Sequence, residues 1–223
     1  MSENYYKEHV FLLGLRQKEE FTSEKEWTFF QNIQIEFLER VRICSTDVFF
    51  DVGCGPMRLG SVLIPKLENG WYFGFDINEK TLNFGREVLS IADVKAKNYN
   101  LISNDNFDFS SIDQPIDIAF SNSLFSHLTL NSIRVCLLNM ADVLKDGSSY
   151  YSTFFCLGKD KDLRKSQEWV QFENQIIKTY PACDPYHYSE GDLKWVAASC
   201  GFDFEIIEDY GHPIQTMGKF TKV

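Results

Sequence analysis

The sequence lacks the cysteine and histidine spacings that are typical of metal centres and disulfide frameworks. Its four histidines are scattered along 223 residues, so no set of metal ligands with a recognisable spacing is present. Its six cysteines include no Cys-x-x-Cys pair, and several lie in apolar runs, where a free thiol packs like a small hydrophobic side chain. We therefore expect no metal site, reduced cysteines and a cytoplasmic location.

Long apolar runs and an excess of basic charge are also missing. No stretch is apolar and long enough to cross a membrane, and no signal-peptide pattern is evident, so we expect no membrane partner. The formal net charge is −10 and the isoelectric point is near 4.9, whereas sequence-independent binding of nucleic acid needs a basic face. Nucleic acid is therefore a disfavoured partner. The sequence does not specify an oligomeric state.

The apolar residues that are present alternate between strand-like and helix-like patterns. This order is typical of an α/β fold with a parallel sheet and helices on both faces. We predict an N-terminal helical segment over residues 1–45, packed on a single domain over residues 46–223. Residues 157–188 break the alternation, being charged and then rich in Tyr, His and Pro, and are predicted to form an insertion or a lid.

Local signals give the predicted elements of the domain. Strands are predicted over residues 48–51, 71–76, 96–102, 116–120, 150–156, 202–208 and 215–223, and helices over residues 58–68, 79–91, 131–144 and 190–200. Pro65 is expected to kink the first helix or restart its hydrogen bonds. Gly147 is expected to stop the third helix, and Ser189 to cap the fourth.

A glycine turn lies between the first predicted strand and the first predicted helix. The segment reads Asp51-Val52-Gly53-Cys54-Gly55-Pro56-Met57-Arg58, and glycines at such a turn let a ligand approach the start of a helix. Asp76 ends the next strand, where an acid commonly binds the two ribose hydroxyls of a nucleoside. A pyrophosphate-binding Gly-x-Gly-x-x-Gly would need glycine in place of Arg58, so an oxidoreductase with a nicotinamide cofactor is the weaker alternative. Asp51 would repel a pyrophosphate but suits a cationic amino group.

Asp51-x-Gly53-x-Gly55 followed by Asp76 resembles motif I and the ribose-binding acid of the class I S-adenosylmethionine-dependent methyltransferases. The resemblance covers residues 46–223, because a closing antiparallel strand pair is also found in that family. One departure is Met57, where the family often has a third glycine. The implied fold is Rossmann-like, with a seven-stranded, mostly parallel sheet, a terminal antiparallel strand and helices on both faces. The sequence also resembles a bacterial subgroup of this family whose acceptors are mostly unassigned. The segments that carry this resemblance are Gly53–Gly60, Ser123–Leu128, Asp184–Ser189 and Gly211–Gln215.

This resemblance implies S-adenosylmethionine as the cofactor. The residues it implies for cofactor binding are Asp51, Gly53, Cys54, Gly55, Arg58, Asp76, Ile77, Asp105, Asn106, Phe107, Ser121 and Asn122. Alternatives stay open for several of them: Arg58 as a surface salt bridge, Asp105 as a solvated loop acid and Phe107 as a core residue. Ser121 and Asn122 are alternatively turn residues, although ligands of open α/β sheets bind where such strands end.

The activity that the resemblance implies is methyl transfer, here to a small-molecule or sugar-like acceptor. The Asp-Pro-Pro-Tyr and Asn-Pro-Pro-Tyr motifs of amino methylation are absent after the fourth predicted strand. His127 is the candidate general base, because a histidine side chain titrates near neutrality, although bonding a loop carbonyl is its alternative role. The candidate acceptor-binding residues, which alternatively pin residues 157–188 to the domain, are Tyr186, His187, Tyr188, His212 and Gln215. A non-catalytic binding or regulatory protein is the alternative from a different functional class.

Overall fold

A computed structural model of the protein describes residues 24–92, 94 and 98–223. The chain divides into two compact units, Met1–Asn106 and Phe107–Val223. This division does not coincide with the predicted boundary after residue 45, and the first 23 residues of the predicted helical segment lie outside the described residues. The separation into residues 1–45 and 46–223 stays a prediction.

The first unit contains three parallel strands with helices between them. Its elements are α1 (Glu24–Arg40), β1 (Val48–Val52), α2 (Gly60–Leu63), β2 (Trp71–Phe75), α3 (Glu79–Ile91) and β3 (Tyr99–Ile102). β2 lies between β1 and β3, and Phe73 of β2 is opposite Phe50 of β1. Both phenylalanines are almost fully buried, as expected for parallel strands that helices cover on each face.

The helix predicted over residues 58–68 is shorter than expected. α2 has a single turn, and Ile64–Lys66 continues it as a 3₁₀ helix that contains Pro65. Pro65 lacks the N–H of an α-helical hydrogen bond, so the prediction that it restarts the ladder is confirmed. The helix begins at Gly60 rather than Arg58 because the residue before Arg58, Met57, has a positive φ of 64°, which a right-handed helix does not allow.

The second unit combines parallel and antiparallel strands. Its elements are β4 (Ile116–Ser121), α4 (Leu130–Val143), β5 (Leu144–Leu157), β6 (Gln167–Val170), β7 (Ile176–Thr179), β8 (His187–Ser189), α5 (Glu190–Ser199), β9 (Phe202–Ile207) and β10 (Thr216–Lys222). β5 pairs in parallel with β4 and β8, whereas β10 is antiparallel to both β5 and β9. The predicted α/β class, with a mostly parallel sheet and a terminal antiparallel strand, is confirmed.

The prediction that Gly147 stops the third helix is wrong. α4 ends at Val143 and the chain passes directly into β5, whose first residue, Leu144, is extended and buried. Gly147 has a φ of +77° and lies inside a bulge of β5. On one side of the bulge Ile116 of β4 is opposite Leu144, and on the other side Ile118 is opposite Ser149, so β5 has extra residues between these two pairs. A left-handed residue serves a bulge as well as a helix end, and local sequence does not distinguish the two.

Residues 157–188 hold a small hairpin and then return to the sheet. β6 and β7 pair in antiparallel fashion apart from the main sheet, and β8 joins the edge of β5 with Phe155 opposite His187. Trp169 Nε1 donates a hydrogen bond of 2.9 Å to Thr179 Oγ1 across the hairpin. The interpretation of this segment as an insertion or a lid stays a prediction.

The start of α5 shows the capping box expected of its sequence. Ser189 Oγ accepts a hydrogen bond from the backbone N–H of Asp192, and the Asp192 carboxylate accepts from the Ser189 N–H at 2.8 Å. The prediction that Ser189 caps this helix is confirmed.

Replacing Ser189 by alanine should lower the free energy of unfolding by about 1 kcal/mol, because the cap satisfies an N–H group that otherwise has no intrahelical partner. Thermal denaturation should show a fall of about 2–4 °C in Tm. Ser199→Ala is the matched control, because Ser199 Oγ contacts the Val196 carbonyl and Cys200 Sγ at the end of the same helix and caps no N–H group. Equal Tm values for the two variants would contradict a stabilising cap.

Candidate active site

The glycine turn of the first unit is fixed to the end of the neighbouring strand. The backbone N–H groups of Gly53 and Cys54 donate to the Phe75 carbonyl at 2.7 and 2.9 Å. Gly53 and Gly55 have positive φ values of 76° and 55°, which glycine adopts without strain. A Cβ placed on Gly55 would meet nothing within 4 Å, so the space beside this residue is open. The turn therefore leaves room for a ligand against its backbone.

Met57 takes a conformation that usually requires glycine. Its φ of 64° is a value that glycine adopts without strain, which fits the third glycine of motif I to which this position corresponds by resemblance. The Met57 side chain is fully buried and lies where a Cβ on Gly60 or Gly85 would approach it within 2.2 and 2.6 Å. These two glycines therefore leave the space that the methionine side chain fills, and burial of this side chain offsets the backbone strain.

Asp51 is a buried carboxylic acid at the end of β1. Its Oδ2 accepts a hydrogen bond of 2.6 Å from the Tyr72 hydroxyl, which comes from the neighbouring strand β2. Burial raises the pKa of Asp51 to about 7, against the lowering effects of the Tyr72 hydrogen bond and the Arg58 charge. A group with this pKa changes its charge near neutral pH when a cation arrives.

Asp76 is a second buried acid, directly after β2. Its Oδ2 accepts from the Gly55 N–H at 3.0 Å and its Oδ1 from the Asn78 N–H at 2.9 Å. Burial raises the pKa of Asp76 to about 6, although these two hydrogen bonds lower it. The Asn78 side chain in turn accepts from the Lys80 and Thr81 N–H groups, so the cap of α3 fixes the position of the acid. Each carboxylate oxygen has a second lone pair that can accept from a ligand hydroxyl.

Ionising either acid costs free energy, because both are buried and no ion pair in the described part of the chain compensates for the burial. Neither Asp51 nor Asp76 forms one within residues 24–92, 94 and 98–223. Buried carboxylates are normally paired or protonated, and raised pKa values are frequent at binding and catalytic sites. An open turn with two such acids fits a ligand that has a cationic group and a pair of hydroxyls. S-adenosylmethionine, the predicted cofactor, has both.

The other predicted cofactor residues of the first unit differ in exposure. The Arg58 guanidinium lies 5.4 Å from the ring centre of Phe30 on α1, which connects this helix to the turn. Cys54 is buried, Ile77 is half-buried, and Asp105 and Asn106 are exposed. Their contacts with a cofactor stay predictions.

The predicted cofactor residues of the second unit lie at its start and at the end of β4. Phe107 is half-buried with a φ of 57°. Its ring packs edge-on against the ring of Phe109, with 6.3 Å between the ring centroids. Ser121 is fully buried and its Oγ lies 2.7 Å from Ser152 Oγ. Asn122 Oδ1 accepts a hydrogen bond of 2.8 Å from the Tyr210 hydroxyl. Ser121 therefore connects β4 to β5, and its cofactor role stays a prediction, as do those of Phe107 and Asn122.

Gln215 belongs to a hydrogen-bond network around the same strand end. Its Oε1 accepts from Thr153 Oγ1 at 2.6 Å and from Ser123 Oγ at 3.2 Å. Ser123 has a positive φ of 62°, and its N–H donates to Thr153 Oγ1 at 2.6 Å. The structure thus brings the predicted acceptor residue Gln215 to the turn that follows β4.

His187, predicted to contact the acceptor, is held on both sides by protein groups. Its Nε2 lies 3.2 Å from the Leu163 carbonyl, which only accepts, so Nε2 carries the proton. Its Nδ1 then accepts from Thr179 Oγ1 at 2.9 Å. The side chain is 4% exposed. This geometry favours the alternative role, in which His187 pins residues 157–188 to the sheet.

His212 is fixed in one neutral tautomer. Its Nδ1 accepts from the Ile214 and Gln215 N–H groups at 3.3 and 3.0 Å, so the ring proton resides on Nε2. The ring stacks on Tyr210 with an interplanar angle of 9°. His212 can therefore donate a hydrogen bond from Nε2 but is poorly suited to accept a proton there.

His127 has an acidic partner that the sequence analysis missed. Its Nδ1 lies 2.7 Å from Asp184 Oδ1, and residues 184–188 are held against the loop that contains it. The Tyr186 N–H donates to the Ser126 carbonyl at 2.6 Å, and the Tyr188 hydroxyl donates to the Leu128 carbonyl. Asp184 lies in a segment that the resemblance singles out, and this was the only signal that could have found it.

Residues 24–92, 94 and 98–223 contain neither a cluster of metal ligands nor a membrane-spanning helix. In that part of the chain, no three His, Cys, Asp or Glu side chains gather into a group that could hold a metal ion. No helix there is both long enough and apolar enough to cross a membrane.

Comparison with known sequences gives one family and a distant curated relative. The sequence model of the family described as "methyltransferase domain" matches residues 44–198. An uncharacterized protein of Methanocaldococcus jannaschii is 26% identical over 185 residues, which make up 80% of this chain and 46% of that protein. The chain therefore spans less than half of the length of this curated relative.

Comparison with solved structures gives methyltransferases. The magnesium protoporphyrin IX methyltransferase of Synechocystis PCC 6803 with bound SAH has a TM-score of 0.65 at 13% identity, covering 98% of this chain and 97% of that one. An S-adenosylmethionine-dependent methyltransferase of Clostridium acetobutylicum has a TM-score of 0.64 at 12% identity, with 98% of each chain covered. At these identities the likeness is one of fold.

Replacing Asp51 by asparagine should stabilise the cofactor-free protein at pH 8 but not at pH 4. An acid whose pKa rises on folding binds more protons in the folded state, so its contribution to stability falls as the pH rises from about 4 to about 7. Asparagine stays neutral and still accepts from Tyr72. The gain in unfolding free energy at pH 8 should be on the order of 2–4 kcal/mol, measured by urea denaturation.

The control for this variant is Asp162→Asn, which removes a partly exposed acid whose pKa is lowered by the Arg164 hydrogen bonds. It should give no stabilisation at pH 8. An Asp51→Asn protein that is no more stable than the unchanged protein at pH 8 would contradict a costly buried acid.

Proposed function

We propose that this chain, which belongs to the methyltransferase-domain family, transfers a methyl group from S-adenosylmethionine to a small-molecule acceptor. The observation that carries the cofactor assignment is the pair of buried acids, Asp51 and Asp76, at the ends of adjacent strands beside an open glycine turn. Structural neighbours were crystallised with SAH, SAM or sinefungin, a group of ligands consistent with this donor.

The residues of the turn have separate tasks in cofactor binding. When bound, S-adenosylmethionine supplies a methyl group on a positively charged sulfur, which makes the methyl carbon electrophilic. Asp51 supplies a carboxylate that ionises beside a cationic group, and Asp76 accepts from ribose hydroxyls with its remaining lone pairs. Gly53 and Gly55 let the backbone approach the ligand closely.

The net charge of the chain and the histidines of the second unit support a small-molecule acceptor. The net charge of −10 disfavours a polyanionic acceptor such as nucleic acid. His127 is the proposed base, because His187 and His212 are held in tautomers that suit structural and donor roles. The neighbours act in the chemistry of a porphyrin, of pyocyanin biosynthesis and of a glycopeptide, so the fold by itself does not specify the acceptor.

Two measurements test the proposal. Calorimetric titration should give binding of S-adenosylmethionine in the micromolar range and no binding of NAD. Transfer of a labelled methyl group should then be followed into three fractions of a bacterial extract: small molecules, nucleic acid and protein. Label in the small-molecule fraction is the expected result. Label in nucleic acid or protein would overturn the acceptor class, and cofactor binding without any labelled product would favour a non-catalytic role.

Asp76→Ala should weaken S-adenosylmethionine binding by about 1.5–3 kcal/mol, the range for losing hydrogen bonds to a charged group. This corresponds to an increase in Kd of about 10- to 150-fold in calorimetric titration. Glu79→Ala is the control, because Glu79 lies three residues further on, is exposed and only pairs with Arg86. Similar Kd values for the two variants would remove Asp76 from the cofactor site.

His127→Ala should lower kcat by about 10²–10⁴-fold while it leaves the Kd for S-adenosylmethionine within about twofold. Loss of a general base slows proton removal from the acceptor without touching the acids of the first unit. Steady-state kinetics with the labelled small-molecule fraction measures the change. A large change in Kd or a lost thermal transition would instead support a purely structural histidine.

A further inference from the structure

The contact between His127 and Asp184 determines which ring nitrogen can act as a base. A carboxylate only accepts hydrogen bonds, so the proton in the 2.7 Å contact belongs to Nδ1 of His127. In the neutral ring the lone pair is then on Nε2. The carboxylate also stabilises the imidazolium that forms when Nε2 takes up a proton.

We propose that Asp184 positions His127 for general-base catalysis and that the acceptor is an alcohol or phenol hydroxyl; this inference rests on the proposed function. The O–H bond of the acceptor breaks, and its proton moves to Nε2 of His127. The electron pair of that bond stays on oxygen and forms the bond to the transferred methyl carbon. The proton later leaves the imidazolium for solvent.

The position of Asp184 is set by several contacts of its own segment. The Tyr186 N–H donates to the Ser126 carbonyl at 2.6 Å, one residue before His127. The Tyr180 N–H donates to the Pro185 carbonyl at 2.8 Å, which closes the loop that carries the acid. A base whose partner is held by the backbone in this way is already oriented before the acceptor binds.

The tyrosines of the same segment do not compete with His127 for the proton. Burial and the nearby Asp184 carboxylate raise the pKa of Tyr186. Burial, Tyr186, Asp192 and Asp184 all raise the pKa of Tyr188. Both side chains therefore stay protonated at neutral pH and serve as hydroxyl donors or as ring surfaces.

A hydroxyl is the acceptor that gains most from an oriented base. A thiol ionises near neutral pH, and a carboxylic acid is already ionised there, so neither needs a base in the transfer step. A neutral amine attacks through its lone pair and loses its proton afterwards. An alcohol or phenol holds its proton until the oxygen attacks, and there a positioned base contributes about 10²–10⁴-fold.

The positioning role is tested in the full chain saturated with S-adenosylmethionine, by nitrogen NMR of labelled histidine at pH 8. His127→Ala identifies the resonances of the ring. The unchanged protein should show Nε2 unprotonated, and Asp184→Asn should shift the population toward the Nε2–H tautomer, because an asparagine NH₂ donates to Nδ1. Asp162→Asn, the same change at a partly exposed acid of residues 157–188, should leave the tautomer unchanged. An unaltered tautomer in Asp184→Asn would overturn the inference.

The acceptor class is tested on the labelled product of the small-molecule fraction. A methyl group on a hydroxyl oxygen supports the inference, with kcat reduced about 10²–10⁴-fold in Asp184→Asn and with unchanged Kd for S-adenosylmethionine. A methyl group on nitrogen, sulfur, carbon or a carboxylate overturns it while the proposed function stands. No labelled product from any fraction would instead contradict the proposed function, and the NMR result would still decide whether Asp184 sets the tautomer.

Discussion

The first unit depends on burying two carboxylic acids at the ends of adjacent strands. Asp51 and Asp76 are 3% and 2% exposed, and burial is the largest cause of their raised pKa values. The hydrogen-bond donors described for them are neutral: the Tyr72 hydroxyl and the N–H groups of Gly55 and Asn78. This arrangement costs folding free energy at neutral pH. Under the proposed function, the cationic cofactor offsets this cost when it binds.

The three histidines of the second unit differ in role because their hydrogen-bond partners differ. His187 donates to a carbonyl and accepts from a threonine, His212 accepts from two backbone N–H groups, and His127 faces a carboxylate. Only the last arrangement leaves a lone pair on Nε2 together with a charge that stabilises the protonated ring. The chemical difference therefore comes from the partner and not from the histidine.

Predictions from local sequence succeeded where the signal and its cause lie in the same few residues. The bounds of α3 and the Ser189 cap followed from short-range hydrogen bonding, and Pro65 restarted its helix as expected. The stop at Gly147 failed because a left-handed glycine suits a bulge as well as a helix end. The shortened α2 depended on Met57, whose positive φ is tolerated because distant Gly85 leaves room for its side chain. No local pattern reports that space.

The sequence by itself determined the α/β class and the glycine turn between Asp51 and Asp76, because both follow from strand ends and backbone conformations that neighbouring residues specify. Tertiary structure alone decided that Asp184 faces His127, since their contact joins segments 57 residues apart. It also decided that the pKa values of the buried acids are raised, because a pKa depends on everything that excludes water from the group. Long-range packing, which short patterns do not encode, is the physical reason for both.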